Sequence, residues 1–261
     1  MYYRDAQEFI ESTGHEVDGK WYPRVTSIVS IKAKPELYRF YGELSSFAQG
    51  EAIKKQSADE GTAVHNAVEA IMLGEDPEVP GEIAPAVAAF QRFRDRMNIE
   101  VDPRWVEKMV VHPEERFSGT VDSIAVIGGR TGILDIKTSL SIYRDYSLQT
   151  SAYFATAKHA YGMGDLSARW ILRIDQSQLC YRCGASRRSK GGRVKVRRPS
   201  PGVVFPVPFE ECDHEWSEMR GDVELKEFEG WENDYGAFLG AKRLWEWENE
   251  YWLKKIGYLK A

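Results

Sequence analysis

The spacing of hydrophobic positions changes character part-way along the chain. Val64, Val68 and Ile71 recur at helical intervals and predict a helix over Thr62–Leu73, ended by Gly74 and Pro77. A second helix is predicted over Ala84–Met97, with Val87, Phe90, Phe93 and Met97 on one side. Strand-like patterning follows at Trp105–Val111, Phe117–Ile127 and Thr131–Thr138, and Gly128-Gly129 makes a hairpin turn between the last two. A helix over Tyr146–Tyr161, closed by Gly162 and Gly164, leads to a strand at Ala168–Asp175. Upstream, Tyr22–Val29 reads as a short extended or turn piece before helical material containing Tyr38, Phe40 and Tyr41. Downstream, a short strand is expected at Val203–Val207, then one or two aromatic-rich helices. The order α, β, β, β, α, β on one core predicts a single mixed α/β domain over 1–261. Its parts are a lead-in at 1–60, a core at 61–175, an excursion at 176–215 and C-terminal helices at 216–261.

Composition narrows the class. The 261 residues are 43% hydrophobic and 29% charged, which suffices for a core without disulfide staples. Three cysteines make no disulfide framework, and no apolar run is long enough for a membrane helix. The opening residues lack a basic region followed by an apolar one, so no secretory signal is expected and the chain reads as soluble and cytoplasmic. A net charge of −5 gives no general attraction to polyanions. Gly184–Pro208 nevertheless carries Arg187, Arg188, Lys190, Arg193, Lys195, Arg197 and Arg198 with no acidic residue. Such a stripe is either a solvated hairpin or a phosphate-facing surface.

The candidate chemistry lies in the central strands. Side chains alternate along a strand, so Asp135 and Lys137 share one face while Leu134 and Ile136 take the other. Burying both charges without partners would be costly. Asp122 sits among Val121, Ile124 and Val126 on the neighbouring strand, so the two aspartates can converge. Close carboxylates repel unless a cation lies between them, and oxygen ligands suit Mg2+ or Mn2+. Each signal has an ordinary alternative. Asp-x-Lys is commonly a surface pair, a histidine on an apolar-striped helix is usually structural, and Glu107 in a strand usually faces solvent.

Taken in order, the residues read Gly61-Thr62-Ala63-Val64-His65, Glu107, Gly119-Thr120-Val121-Asp122, Asp135-Ile136-Lys137-Thr138 and Gln149-Thr150-Ser151-Ala152-Tyr153. This resembles the PD-(D/E)xK nuclease superfamily, in the branch that holds the RecB nuclease domain, Cas4 and related phage exonucleases. The matching stretch spans residues 22–175. The resemblance implies a restriction-endonuclease-like core with a mixed central sheet flanked by helices, extended by helical N- and C-terminal additions. It implies a metal held by His65, Asp122, Asp135 and the carbonyl of Ile136, with Lys137 activating the attacking water. Gln149 and Tyr153 would support Lys137 and the DNA backbone, and Glu107 would be an accessory acid. The residue before Asp122 is Val121, where the superfamily name expects proline.

The implied activity is Mg2+-dependent DNA hydrolysis leaving a 5′-phosphate and a 3′-hydroxyl. An exonuclease of recombination, repair or phage DNA processing is expected, working with or without a helicase or recombination partner. A structure-specific or nicking endonuclease and a non-catalytic DNA-binding module are the rivals. Arg187, Arg188 and Arg193 are candidate DNA contacts. Cys180 and Cys183, in C-x-x-C-G, with Cys212 and His214 are a candidate structural zinc site, free thiols being the alternative. The four-cysteine iron–sulfur cluster of Cas4 relatives is impossible here with three cysteines. The aromatic C-terminal stretch from Trp231 to Trp252 is expected to pack as core, or else to stack on bases.

Overall fold

The structure, a computed structural model, describes residues 3–199 and 201–260. Helix α1 (Ala6–Thr13) starts at Asp5, whose side chain accepts from the Glu8 amide. Strands β1 (Gly14–Val17) and β2 (Lys20–Pro23) form a hairpin. Its two turn residues, Asp18 and Gly19, both have positive φ, the geometry that matches strand twist. Helices α2 (Val25–Val29), α3 (Pro35–Gly42), α4 (Phe47–Met72) and α5 (Ala84–Met97) follow. Next come β3 (Glu100–Val101), a single 3-10 turn at Pro103–Trp105, β4 (Lys108–His112), β5 (Phe117–Val121), β6 (Ser123–Ile127) and β7 (Arg130–Lys137). Helix α6 (Tyr146–Ala160) crosses over to β8 (Ala168–Leu179), and β9 (Ser186–Lys190) and β10 (Arg193–Arg197) form a second hairpin. Strand β11 (Arg220–Glu227) and helices α7 (Trp231–Glu248) and α8 (Glu250–Lys255) close the chain.

Among the described residues the main sheet has seven strands, in the order β10-β9-β8-β7-β6-β3, with β11 paired to the other side of β8. Only β7 and β8 are parallel, as the α6 crossover between them requires. The sheet is mixed and has helices on both faces. Leu134 and Ile136 of β7 and Trp170, Leu172 and Ile174 of β8 pack under α4 and α5. Ile133 and Ile124 face the opposite layer, where Tyr153 and Phe154 of α6 meet Phe238 and Trp245 of α7 and Phe9 of α1. An added Cβ on Gly221 would lie 2.0 Å from the Pro85 carbonyl, so glycine lets α5 rest directly on β11.

Several expectations are corrected by local physics. The run Phe117–Ile127 is two strands. β5 pairs with β4 and β6 with β7, and the break falls at Asp122, whose carboxylate caps the Ile136 amide at 2.6 Å. The strand expected from Trp105 begins at Lys108, because Pro103 opens a turn and Glu107 has φ of 48°. Helix α4 begins fifteen residues earlier than expected, capped by Ser46, since 47–60 is rich in helix formers that lack an apolar stripe. Val203–Val207 forms no strand, and Pro201, Pro206 and Pro208 punctuate it. The C-terminal part is not wholly helical: β11 lies in it, its Val223 and Leu225 packing on the core between charged neighbours. No helix of the described residues is long and apolar enough to cross a membrane.

Candidate active site

The end of β7 delivers two charges to one place. Asp135 is fully buried, and its Oδ1 accepts from Gln149 Nε2 at 3.1 Å. Its Oδ2 lies 2.5 Å from Lys137 Nζ in an ion pair. Gln149 Nε2 also donates to the Tyr153 hydroxyl at 3.2 Å, one helical turn along α6. The Tyr153 ring packs on Gly119, where a Cβ would come within 2.5 Å of the ring. That contact explains why the residue three before Asp122 is glycine. Gly61 works the same way: a Cβ there would lie 2.7 Å from Thr138 Oγ1, so α4 can approach the end of β7. This approach brings His65 Nε2 to 3.0 Å from the Ile136 carbonyl oxygen.

His65, Glu107 and Asp122 each offer a donor atom, and these three atoms lie within 4.8 Å of one another. The Ile136 peptide joins them, its amide held by Asp122 and its carbonyl beside His65. Glu107, expected only as an accessory acid, is therefore a full member of the group. Its backbone is left-handed, and its amide donates to the Asp122 carbonyl at 3.0 Å. Asp135, expected as a ligand, is not in this mutually close set. It lies behind it, engaged by Gln149 and Lys137. The donors, an imidazole nitrogen, two carboxylates and a carbonyl, suit a hard divalent cation.

The electrostatics match that composition. Partial desolvation, then the charges of Asp122, Glu69 and Asp135, push Glu107 up to about 7. Burial likewise raises Asp135, outweighing the Lys137 charge that opposes it. For Lys137, burial alone would favour the neutral amine, but Asp135 and Asp122 outweigh it and hold the ammonium above its ordinary pKa. The site is thus an excess of carboxylate beside one fixed cation, a state that a divalent ion would relieve.

A groove with a cavity of about 380 Å³ opens over His65, Ile136 and Lys137. Its far wall is the β9–β10 hairpin. Arg188 reaches Asp175 at 2.6 Å and the Thr138 carbonyl at 3.3 Å, and Lys190 also donates to that carbonyl. Burial and the neighbouring Arg188 bring Lys190 down to about 8. Lys190 and Tyr146, whose ring lies 5.3 Å from Lys137 Nζ, were not singled out as site residues. Lys190 was legible, because it sits two residues from Arg188 and so shares its strand face. Arg193 pairs with Glu43 at 2.8 Å, and Arg187 lies over Trp216, away from the groove. Phe238 and Trp245 are core, while Trp247 and Tyr251 are exposed. Cys180, Cys183, Cys212 and His214 come together beyond the end of β8, apart from the acidic group. A wider cleft of about 440 Å³ at Trp21, Arg116 and Tyr258 is lined by no carboxylate or histidine. Compared with known proteins, the chain matches no family model and no curated sequence.

Proposed function

We propose that this chain is a divalent-metal-dependent deoxyribonuclease with a PD-(D/E)xK-type catalytic core, acting from DNA ends. The observation that carries the reading is the meeting of His65, Glu107 and Asp122 beside the buried Asp135–Lys137 pair. The sequence resemblance supports the same residues independently of their geometry. His65, Glu107, Asp122 and the Ile136 carbonyl would hold Mg2+ or Mn2+. Bound there, the ion supplies a lowered pKa for water and charge neutralisation on the phosphoryl oxygen.

The chain's own residues do the rest. Lys137, kept charged by Asp135 and Asp122, faces the groove where negative charge grows on the phosphate, and such a preorganised cation contributes about 3 kcal/mol. Gln149 fixes Asp135 and so fixes the lysine that Asp135 holds. Arg188 and Lys190 supply positive charge along the opposite wall for flanking phosphates. Asp122, by capping the Ile136 amide, fixes the peptide whose carbonyl joins the donor set.

The test is digestion of end-labelled linear duplex beside covalently closed circles, with Mg2+ or with EDTA. Linear DNA should disappear only with Mg2+, leave 5′-phosphates, and leave circles intact. Opened circles would reassign the site to an endonuclease. Intact DNA with both Mg2+ and Mn2+ would overturn the reading.

A further inference from the structure

Beyond the end of β8 the chain makes a tight turn. The Gly184 amide donates to the Cys180 carbonyl at 2.9 Å, with Gly184 at φ of 69°. After a gap of twenty-eight residues beyond Cys183, the segment Cys212–His214 returns to the same spot. The two stretches are clamped together by backbone. Tyr181 N donates to Glu215 O at 2.9 Å, Ser217 N donates to Leu179 O at 2.8 Å, and Cys180 forms a bridge with Trp216. An ion pair between Arg182 and Asp213 joins the two turns again.

Inside this clamp Cys180, Cys183, Cys212 and His214 place their donor atoms within 4.8 Å of one another. Cys180 Sγ is 3.7 Å from Cys212 Sγ, and Cys183 Sγ is 3.3 Å from His214 Nδ1. A tetrahedral zinc ion with Zn–S of about 2.3 Å and Zn–N of about 2.0 Å separates its donors by roughly 3.5–3.8 Å. A disulfide would need an S–S distance of about 2.05 Å, and all three cysteines are free. The His214 ring is fixed between Phe209, at 5.4 Å, and Trp216, at 4.8 Å. Amides are aimed at the sulfurs: His214 N donates to Cys212 Sγ at 3.4 Å, and the amides of Cys183 and Arg182 point to Cys180. Such donors stabilise thiolates, the form that binds metal. The alternative is a small apolar cluster. Only Cys180, Cys183 and Ala185 are fully buried there, too little core to hold two long irregular segments together.

We infer that Cys180, Cys183, Cys212 and His214 bind one structural zinc ion that staples the root of the β9–β10 hairpin to the main sheet. Three thiolates and an imidazole select zinc over the hard cations that suit the acidic group. Four protein ligands close the coordination shell, so the ion holds structure and does no chemistry. The hairpin starts at Ser186, immediately after the knuckle, and its tip docks on α4, where Gly191 N donates to both Glu60 carboxylate oxygens at 3.1 Å. Zinc at the root and α4 at the tip therefore set where Arg188 and Lys190 stand. That they then form a phosphate-facing wall rests on the nuclease reading; the zinc site does not.

The experiment is metal analysis of the full chain purified without chelator, for the parent, Cys212→Ser and His214→Cys. The parent should carry one zinc per chain and no iron, Cys212→Ser should lose it, and His214→Cys, with four thiolates, should keep it. Metal-stripped parent refilled with Co2+ should show the visible bands of a tetrahedral thiolate site, shifted in His214→Cys. This readout stands even if Cys212→Ser fails to fold. Amide exchange across 186–197 should quicken at least ~10-fold on stripping while β7 stays protected. A parent without zinc that also gives no tetrahedral cobalt spectrum, iron in its place, or zinc unchanged in Cys212→Ser would overturn the site. Unchanged exchange in the hairpin would overturn the staple. Zinc content with no DNA cleavage would keep this inference and sink only the nuclease reading.

Discussion

Lys137 and Glu107 are the residues whose charge states the site depends on most. Lys137 is four-fifths buried with Asp135 as its close partner, and Asp122 adds to the field that keeps it protonated. Lys137→Ala should slow hydrolysis by about 10²- to 10³-fold, the loss typical of one preorganised electrostatic group. Steady-state rates alongside DNA-binding titrations check this, since binding should survive. Glu107 gives a pH dependence. Because its folded-state value is raised from 4.5 to about 7, the folded chain holds that proton more tightly than the unfolded chain does. Stability of the metal-free protein should therefore fall as pH rises through that interval, and Asp135, raised by burial, acts in the same sense. Cation binding, which needs the carboxylate, should strengthen as pH rises toward and past 7. Thermal unfolding with and without Mg2+ across that range measures both. Glu107→Gln should flatten the metal-free slope and weaken the Mg2+ response.

At the scale of elements, two glycines decide how helices reach the site. Gly119→Ala drives a Cβ into the buried Tyr153 ring and should cost about 1–3 kcal/mol, read by urea unfolding. A cost below ~0.5 kcal/mol would mean that Tyr153 does not set the distance between α6 and β5. Much at this scale was legible in the sequence. Helix α5 runs over the predicted residues, marked by its apolar stripe, and α6 and β7 lie within a residue of theirs, where Gly162 and Gly128-Gly129 punctuate the chain. The face assignment on β7 also held: Ile136 and Leu134 lie under α4 and α5, while Asp135 meets α6. What patterning missed was decided by tertiary contacts. The break at Asp122 follows from a hydrogen bond to Ile136, and Glu107 joins the group through a left-handed backbone that no local pattern announced. Strand β11 was masked because only Val223 and Leu225 are apolar among its charged residues. Of the predicted basic contacts, only Arg188 lines the groove, since Arg187 and Arg193 are turned to other partners.

Across the whole molecule, β8 is the hub: it pairs with β7, β9 and β11 and carries the ion pair that locks α7. Arg169 of β8 and Asp234 of α7 are both nearly inaccessible, and they meet at 2.8 Å. Arg169 also donates to the Ser147 and Glu229 carbonyls, so one guanidinium ties α6, α7 and the sheet together. Asp234→Ala leaves that charge uncompensated and should cost about 3–5 kcal/mol, seen as a lowered unfolding midpoint. Asp234→Asn, which keeps a hydrogen-bond acceptor, should cost less. This scaffold keeps His65, the lysine and the basic hairpin around one groove, with Glu107 and Asp122 close to His65. The most direct measurement is the initial rate of nucleotide release from a labelled linear duplex by the parent and by Asp122→Asn, with Mg2+ and with EDTA. The prediction is release by the parent only with Mg2+, and at least ~10²-fold less by the variant. Equal rates for parent and variant, or release that persists in EDTA, would contradict it.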